Sequence, residues 1–220
     1  MLIDSTYFQN SNIIANIGEA DPNGKLDLVL DLMIKKGEKE VLSFAFGVEM
    51  WRDFKELVKD GIPEDIPQNY RDIIEGKDYL RDGKKCYWDG LIQPDTKESL
   101  LADYVYCIYH TQNLSQTTET GETITESKVG RKVSSVPKIT RVWNTFIKKL
   151  HDGFRSNPSG YTMEGKPYWY LRNSGIDYYG VYPKTGEVSL IQFLLDNKDS
   201  YPLLDANYRR FGEFQNEFGI

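Results

Sequence analysis

Apolar residues recur three and four positions apart in four long segments of this chain, and that spacing confines them to amphipathic helices packed on one another. Leu26, Val29, Leu30, Met33 and Ile34 form the first set, with Asp27 and Asp31 on the other side of the same helix. Asp21-Pro22-Asn23-Gly24 reads as a turn, and Asn23 is placed to cap a helix starting near Lys25. Gly37 is expected to break that helix. The second set is Val41, Phe44, Ala45, Val48, Trp51, Phe54 and Val58. Gly47 lies inside it at a cost of ~1 kcal/mol relative to alanine, so it marks a bend or a close helix contact. Leu100, Leu101, Tyr104, Val105, Ile108 and Tyr109 place a third helix over residues 96–113. Ile139, Val142, Trp143, Phe146, Ile147 and Leu150 define a fourth, starting at Ser134-Ser135-Val136-Pro137 and ending near Asp152-Gly153.

Shorter elements lie between and after these helices. The first twenty residues read as an extended or loosely structured lead anchored by Ile13, Ile14 and Ile17. Gly61-Ile62-Pro63 and Ile66-Pro67 punctuate a linker, and Tyr70 to Glu75 forms a short helix with Ile73 and Ile74 inward. Tyr79 and Leu80, then Arg81-Asp82-Gly83, then Cys86, Tyr87 and Trp88 make a small hairpin with Asp-Gly as its turn signal. A short helix runs from Ser189 to Leu195. The expected fold is mainly α: a helical bundle with small β-hairpins and a long irregular C-terminal region, an α+β organisation also being compatible. Residues 1–153 are expected to form the helical core with an N-terminal arm, and 154–220 a loop-rich aromatic region packed on it as one domain.

Two regions depart from this pattern. Residues 111–132 carry six Thr, two Ser and three Glu, with Leu114, Ile124 and Val129 as nearly the only apolar side chains. They read as a polar hairpin around Thr120-Gly121-Glu122, and a two-stranded ribbon without an apolar face orders best against another surface. Thr117, Thr118, Thr120, Thr123, Ile124 and Thr125 are its candidate contact residues. The second region is crowded with Tyr161, Tyr168, Trp169, Tyr170, Tyr178, Tyr179 and Tyr182. About half of these rings are expected to cover a loop-rich core. The others, Trp169 and Tyr170 among them, could anchor another protein chain or stack on sugar rings, which leaves a carbohydrate- or ligand-binding module as the alternative function. Near the chain's end Phe211, Phe214, Phe218 and Ile220 alternate with polar residues, as a docking arm would, and equally as an element closing the domain's own core.

Composition and motifs exclude more than they assign. Lys+Arg 27 against Asp+Glu 33 gives a formal charge of −6, which disfavours broad capture of nucleic acid. No apolar run approaches the ~20 residues of a membrane span, and the opening MLIDSTYFQN lacks the pattern of a secretory signal, so a soluble acidic protein is expected. Cys86 and Cys107 have no C-x-x-C partner, and His110 and His151 have no second histidine at ligand spacing, so no metal site is expected. Gly160-Tyr161-Thr162-Met163-Glu164-Gly165-Lys166 has phosphate-loop spacing, but Pro167 stands where Ser or Thr would hold magnesium. The pairs Asp27/Asp31 and Glu64-Asp65 read as solvated faces, and no serine-nucleophile elbow is present. No catalytic residue and no cofactor are assigned.

The order of segments nevertheless resembles the head–tail connector (neck adaptor) proteins of tailed bacteriophages, in the form carried by phages of Bacteroides-like bacteria. The resemblance runs through MLIDSTYF and SNIIANI, EKEVLSFAFGVEMWRDF, YRDIIEGKDYL, WDGLI, LLADYVYCIYH, VSSVPKITRVWNTF and the closing NEFGI. Phe46-Gly47 stands where such proteins usually show Leu-Gly. The resemblance implies a non-enzymatic subunit of a dodecameric ring, located in the virion neck after assembly in the host cytoplasm. Its implied partners are further copies of itself, the portal protein and neighbouring neck or tail rings. Double-stranded DNA would pass through without specific binding, and no membrane is involved.

Overall fold

A computed structural model describes residues 1–10, 12–14, 25–59, 61–81, 84–112, 116–118, 121–123, 136–151 and 187–205. Six α-helices and three two-stranded antiparallel sheets make up this part of the chain, so the architecture is mainly α with small hairpins.

Helix α1 (Lys25–Phe46) buries Leu30, Ile34, Val41, Leu42, Ala45 and Phe46, residues three and four apart that form one continuous face. It runs straight through Gly37, contrary to the expected break. A Cβ at Gly37 would lie 2.8 Å from Val105 Cγ2 and 3.2 Å from Tyr104 Cδ1, so this glycine lets two helices approach closely. The chain turns at Gly47 instead, where φ is +80°. There the carbonyl of Phe46 accepts from the Asp205 amide at 3.1 Å. A Cβ on Gly47 would meet Asp205 Cβ at 2.5 Å, so one residue supplies both the bend and the close contact. Helix α2 (Val48–Leu57) then buries Met50 and Phe54, while Val48, placed by its spacing on the inner face, is 59% exposed.

Helix α3 (Gln68–Glu75) turns Ile73 and Ile74 inward, as its sequence indicates. Strands β1 (Lys77–Arg81) and β2 (Lys84–Trp88) pair from Lys77↔Trp88 to Arg81↔Lys84, the register of a two-residue hairpin connection. Strand β3 (Ile92–Gln93) pairs with β4 (Glu98–Ser99), and β4 occupies residues expected to begin the third helix. That helix, α4 (Leu100–Gln112), starts later because Ser99 ends the hairpin: its hydroxyl donates to the Leu91 carbonyl at 2.7 Å and accepts from the Leu101 amide at 3.0 Å.

Every residue of α4 from Leu100 to Cys107 is buried, so it is the central helix rather than an amphipathic one with a wet face. It packs against α1 on one side and α5 (Val136–His151) on another. Tyr104 meets Phe146 and Trp143 of α5 with ring centroids 5.2 and 6.2 Å apart. Strands β5 (Gln116–Thr118) and β6 (Gly121–Thr123) form the polar hairpin near its expected place. Helix α6 (Leu190–Asp196) is capped by Ser189, whose hydroxyl accepts from the Gln192 amide, and its Phe193 stacks on Trp88 of β2 at 6.3 Å.

The opening residues are tied down rather than loose. Asp4 caps a short 3-10 helix (Ser5–Phe8), and Leu2, Ile3, Tyr7, Phe8 and Ile14 all enter the core. Ile13, expected as an anchor, is 53% exposed. The neighbouring Ile14 takes the inward position, its amide donating to the Phe8 carbonyl at 3.0 Å. Ile17 lies outside the described residues.

Candidate interaction surfaces

The ionisable groups that come together inside this fold are engaged in holding elements to one another. Tyr70 donates to Asp53, Tyr104 to Glu40 and Tyr79 to Asp196, each at 2.6 Å. These bonds join α3 to α2, α4 to α1 and β1 to α6. Burial first, and then the adjacent carboxylate, pushes all three phenol pKa values above the ordinary tyrosine range. They act as donors that stay protonated.

The buried carboxylate Asp103 is likewise committed, accepting from the Asn12 side-chain amide at 2.7 Å and facing Lys149 Nζ at 3.0 Å. Cys107 is buried, and desolvation pushes its thiol up to about 12, far from the reactive thiolate range. His151 is buried at the end of α5, and His110 packs against Tyr106 with ring centroids 4.3 Å apart. Among the described residues, no three His, Cys, Asp or Glu gather in a metal-binding arrangement. No helix among them is long and apolar enough to cross a membrane.

The surface carries the less ordinary feature. Leu28 and Leu32, one turn apart on α1, are 63% and 65% exposed, and Val29 beside them is 44% exposed. The same outward side continues into the exposed Lys35, Lys36 and Lys39. Val29 was expected in the core, but the buried face follows Leu30, Ile34, Val41 and Leu42, and Val29 is rotated out of it. The exposed pair was readable in principle. The run from Leu26 to Ile34 contains more apolar residues than one helical stripe accommodates.

Of the contact residues expected from sequence, Thr117 and Thr118 lie on β5 and Thr123 on β6. The register Thr117↔Glu122 and Thr118↔Gly121 leaves a two-residue connection between the strands. Thr120, Ile124, Thr125, Trp169, Tyr170, Phe211, Phe214, Phe218 and Ile220 lie outside the described residues, as do the phosphate-loop-like segment and residues 154–186. No known protein family, no curated protein and no solved structure matches the chain.

Proposed function

We propose that this chain is a structural subunit of a ring of the head–tail connector type, joining a phage portal to its tail and extending the DNA channel. The observation that carries the reading is the exposed stripe of Leu28, Val29 and Leu32 on a helix whose opposite face is fully buried. Leaving such side chains in water is unfavourable by ~25 cal/mol per Å² of apolar surface, and a neighbouring subunit would remove that cost. Ring closure needs a heterologous contact, in which one face of a subunit fits a different face of the next. The stripe provides one such face. The Thr-rich hairpin β5–β6 is a second element suited to a partner surface. The charge of −6 suits a conduit whose wall does not hold passing phosphates. In this reading the protein catalyses no reaction.

Imaging of neck complexes from purified virions tests the assignment directly, since absence of this chain between portal and tail removes it. The double variant Leu28→Ser/Leu32→Ser tests the surface. It is expected to unfold at the same denaturant concentration as the wild type and to fail to assemble. Assembly equal to wild type would remove the stripe from the interface. Protease provides a further check: residues 115–128 are expected to be cut quickly in the free chain and protected in the assembled ring.

A further inference from the structure

Four segments distant in sequence meet around a cavity of about 310 Å³. Asn12 comes from the opening segment, Lys97 from the β3–β4 turn, Glu98 from the start of β4, and Asp103 from α4. Helix α5 supplies Lys138, Arg141 and Lys149 from one face, with Thr145 on the turn between Arg141 and Lys149. This concentration of cations stands on a chain whose net charge is −6.

The charges divide into a neutral floor and a positive rim. Asp103 is balanced by Lys149 at 3.0 Å and held by the Asn12 amide at 2.7 Å, so it projects little net charge into the cavity. Lys97, Lys138 and Arg141 are opposed by Glu98 as the remaining lining carboxylate, a surplus of two positive charges. Two of the three cations are placed by aromatic rings. Lys97 Nζ lies 5.2 Å from the centroid of Tyr7 and Lys138 Nζ 4.9 Å from that of Tyr106. A ring face fixes an ammonium without neutralising it, so the charge remains available to a ligand. Arg141 is exposed and makes no ion pair among the described residues, and its planar fork suits bidentate contact with an oxyanion. Lys97 also has φ +56°, a left-handed conformation that glycine or asparagine adopts with less strain. The lysine at this position puts an ammonium on the rim.

We propose that this cavity binds the phosphate group of a small phosphorylated molecule, with Lys97, Lys138 and Arg141 as its cationic ligands. A phosphate monoester carries a charge of about −1.5 to −2 near neutrality, which matches the surplus. The volume lies at the lower end of small-molecule sites, so a phosphate with a modest organic body fits. A DNA duplex presents single charges along a convex backbone, which does not enter a recess of this size.

Calorimetric titration of the full chain at constant ionic strength, with inorganic phosphate, adenosine monophosphate and a short DNA duplex as probes, tests the site. Saturable binding of inorganic phosphate or the monophosphate is expected. Equal affinity for both assigns the site to the free anion, and tighter monophosphate binding assigns it to an organic phosphate; either supports the proposal. Lys138→Gln/Arg141→Gln is expected to weaken binding at least about tenfold. Lys148→Gln, on the same helix but paired with Glu187 at 3.9 Å, is expected to leave it unchanged. If the double variant does not fold, the exposed single variant Arg141→Gln carries the same expectation. No saturable binding of either small probe, equal weakening by Lys148→Gln, or binding of the duplex alone would overturn the proposal.

Discussion

The Tyr79 hydroxyl donates a 2.6 Å hydrogen bond to the Asp196 carboxylate across 117 residues of sequence. It fastens the β1–β2 hairpin to the end of α6, where a carboxylate meets the negative pole of its own helix. Arg81 Nε at 3.6 Å and the Gln192 side-chain amide at 2.6 Å hold the other carboxylate oxygen. Tyr79→Phe removes the one donor that comes from an aromatic ring packed on Phe193. A loss of about 1.5–3 kcal/mol is expected by urea unfolding, because the bond is to a charged and largely buried group. A loss under about 0.5 kcal/mol would show that Arg81 and Gln192 satisfy Asp196 without it.

Gly37→Ala sets two effects against each other. Alanine gains up to ~1 kcal/mol of helix propensity, while overpacking a core costs ~1–3 kcal/mol. The added methyl would lie 2.8 Å from Val105 Cγ2, on a stiff β-branched side chain that is itself buried. Overpacking therefore wins, and the variant is expected to be less stable by about 1 kcal/mol. Val105→Ala in the same chain is expected to recover part of that loss, so additive behaviour in a double-mutant cycle would contradict the contact.

His110 titrates below its ordinary 6.5, chiefly through burial and then through repulsion from Lys138, with a hydrogen bond to the backbone of Ile13 opposing both. A histidine whose folded pKa is depressed binds its proton more readily when unfolded. Its contribution to stability is therefore full above about pH 6.5 and declines as the pH falls from there toward the folded value. An NMR titration of the imidazole is expected to give a midpoint under 6.5 in the native chain. His110→Gln is expected to flatten this part of the pH–stability curve; a midpoint at 6.5 would remove the effect and one above it would reverse the sign.

The two thiols are expected to differ. Cys86 on β2 is partly exposed, whereas Cys107 is buried and its thiol is pushed up to about 12. A thiol reagent at neutral pH is expected to modify Cys86 in the native chain and Cys107 only at the rate of unfolding. Rapid modification of both would mean that α4 opens locally.

Local signals located most of the secondary structure. Ser134-Ser135-Val136-Pro137 announces α5, Ser189 caps α6, and Asp82-Gly83 lies where β1 and β2 need a two-residue link, because caps and turns depend on adjacent residues. The candidate surfaces were less legible. The polar composition of residues 111–132 around Thr120-Gly121-Glu122 indicated the hairpin, but nothing in α5 marks Lys138 and Arg141 as sharing a cavity with Lys97.

What the sequence by itself determined is which segments are helical, since hydrophobic period and capping are properties of neighbours along the chain, whereas the break between the first two helices fell at Gly47 and not at Gly37. Only the tertiary structure decided which faces are covered. Gly37 sits within a helix, and Val105 packs where its side chain would be, while α4 is enclosed because α1 and α5 flank it. Leu28 and Leu32 remain in solvent because the core claims the other side of α1. Burial depends on the three-dimensional neighbours a residue meets, and periodicity along one segment carries no record of them.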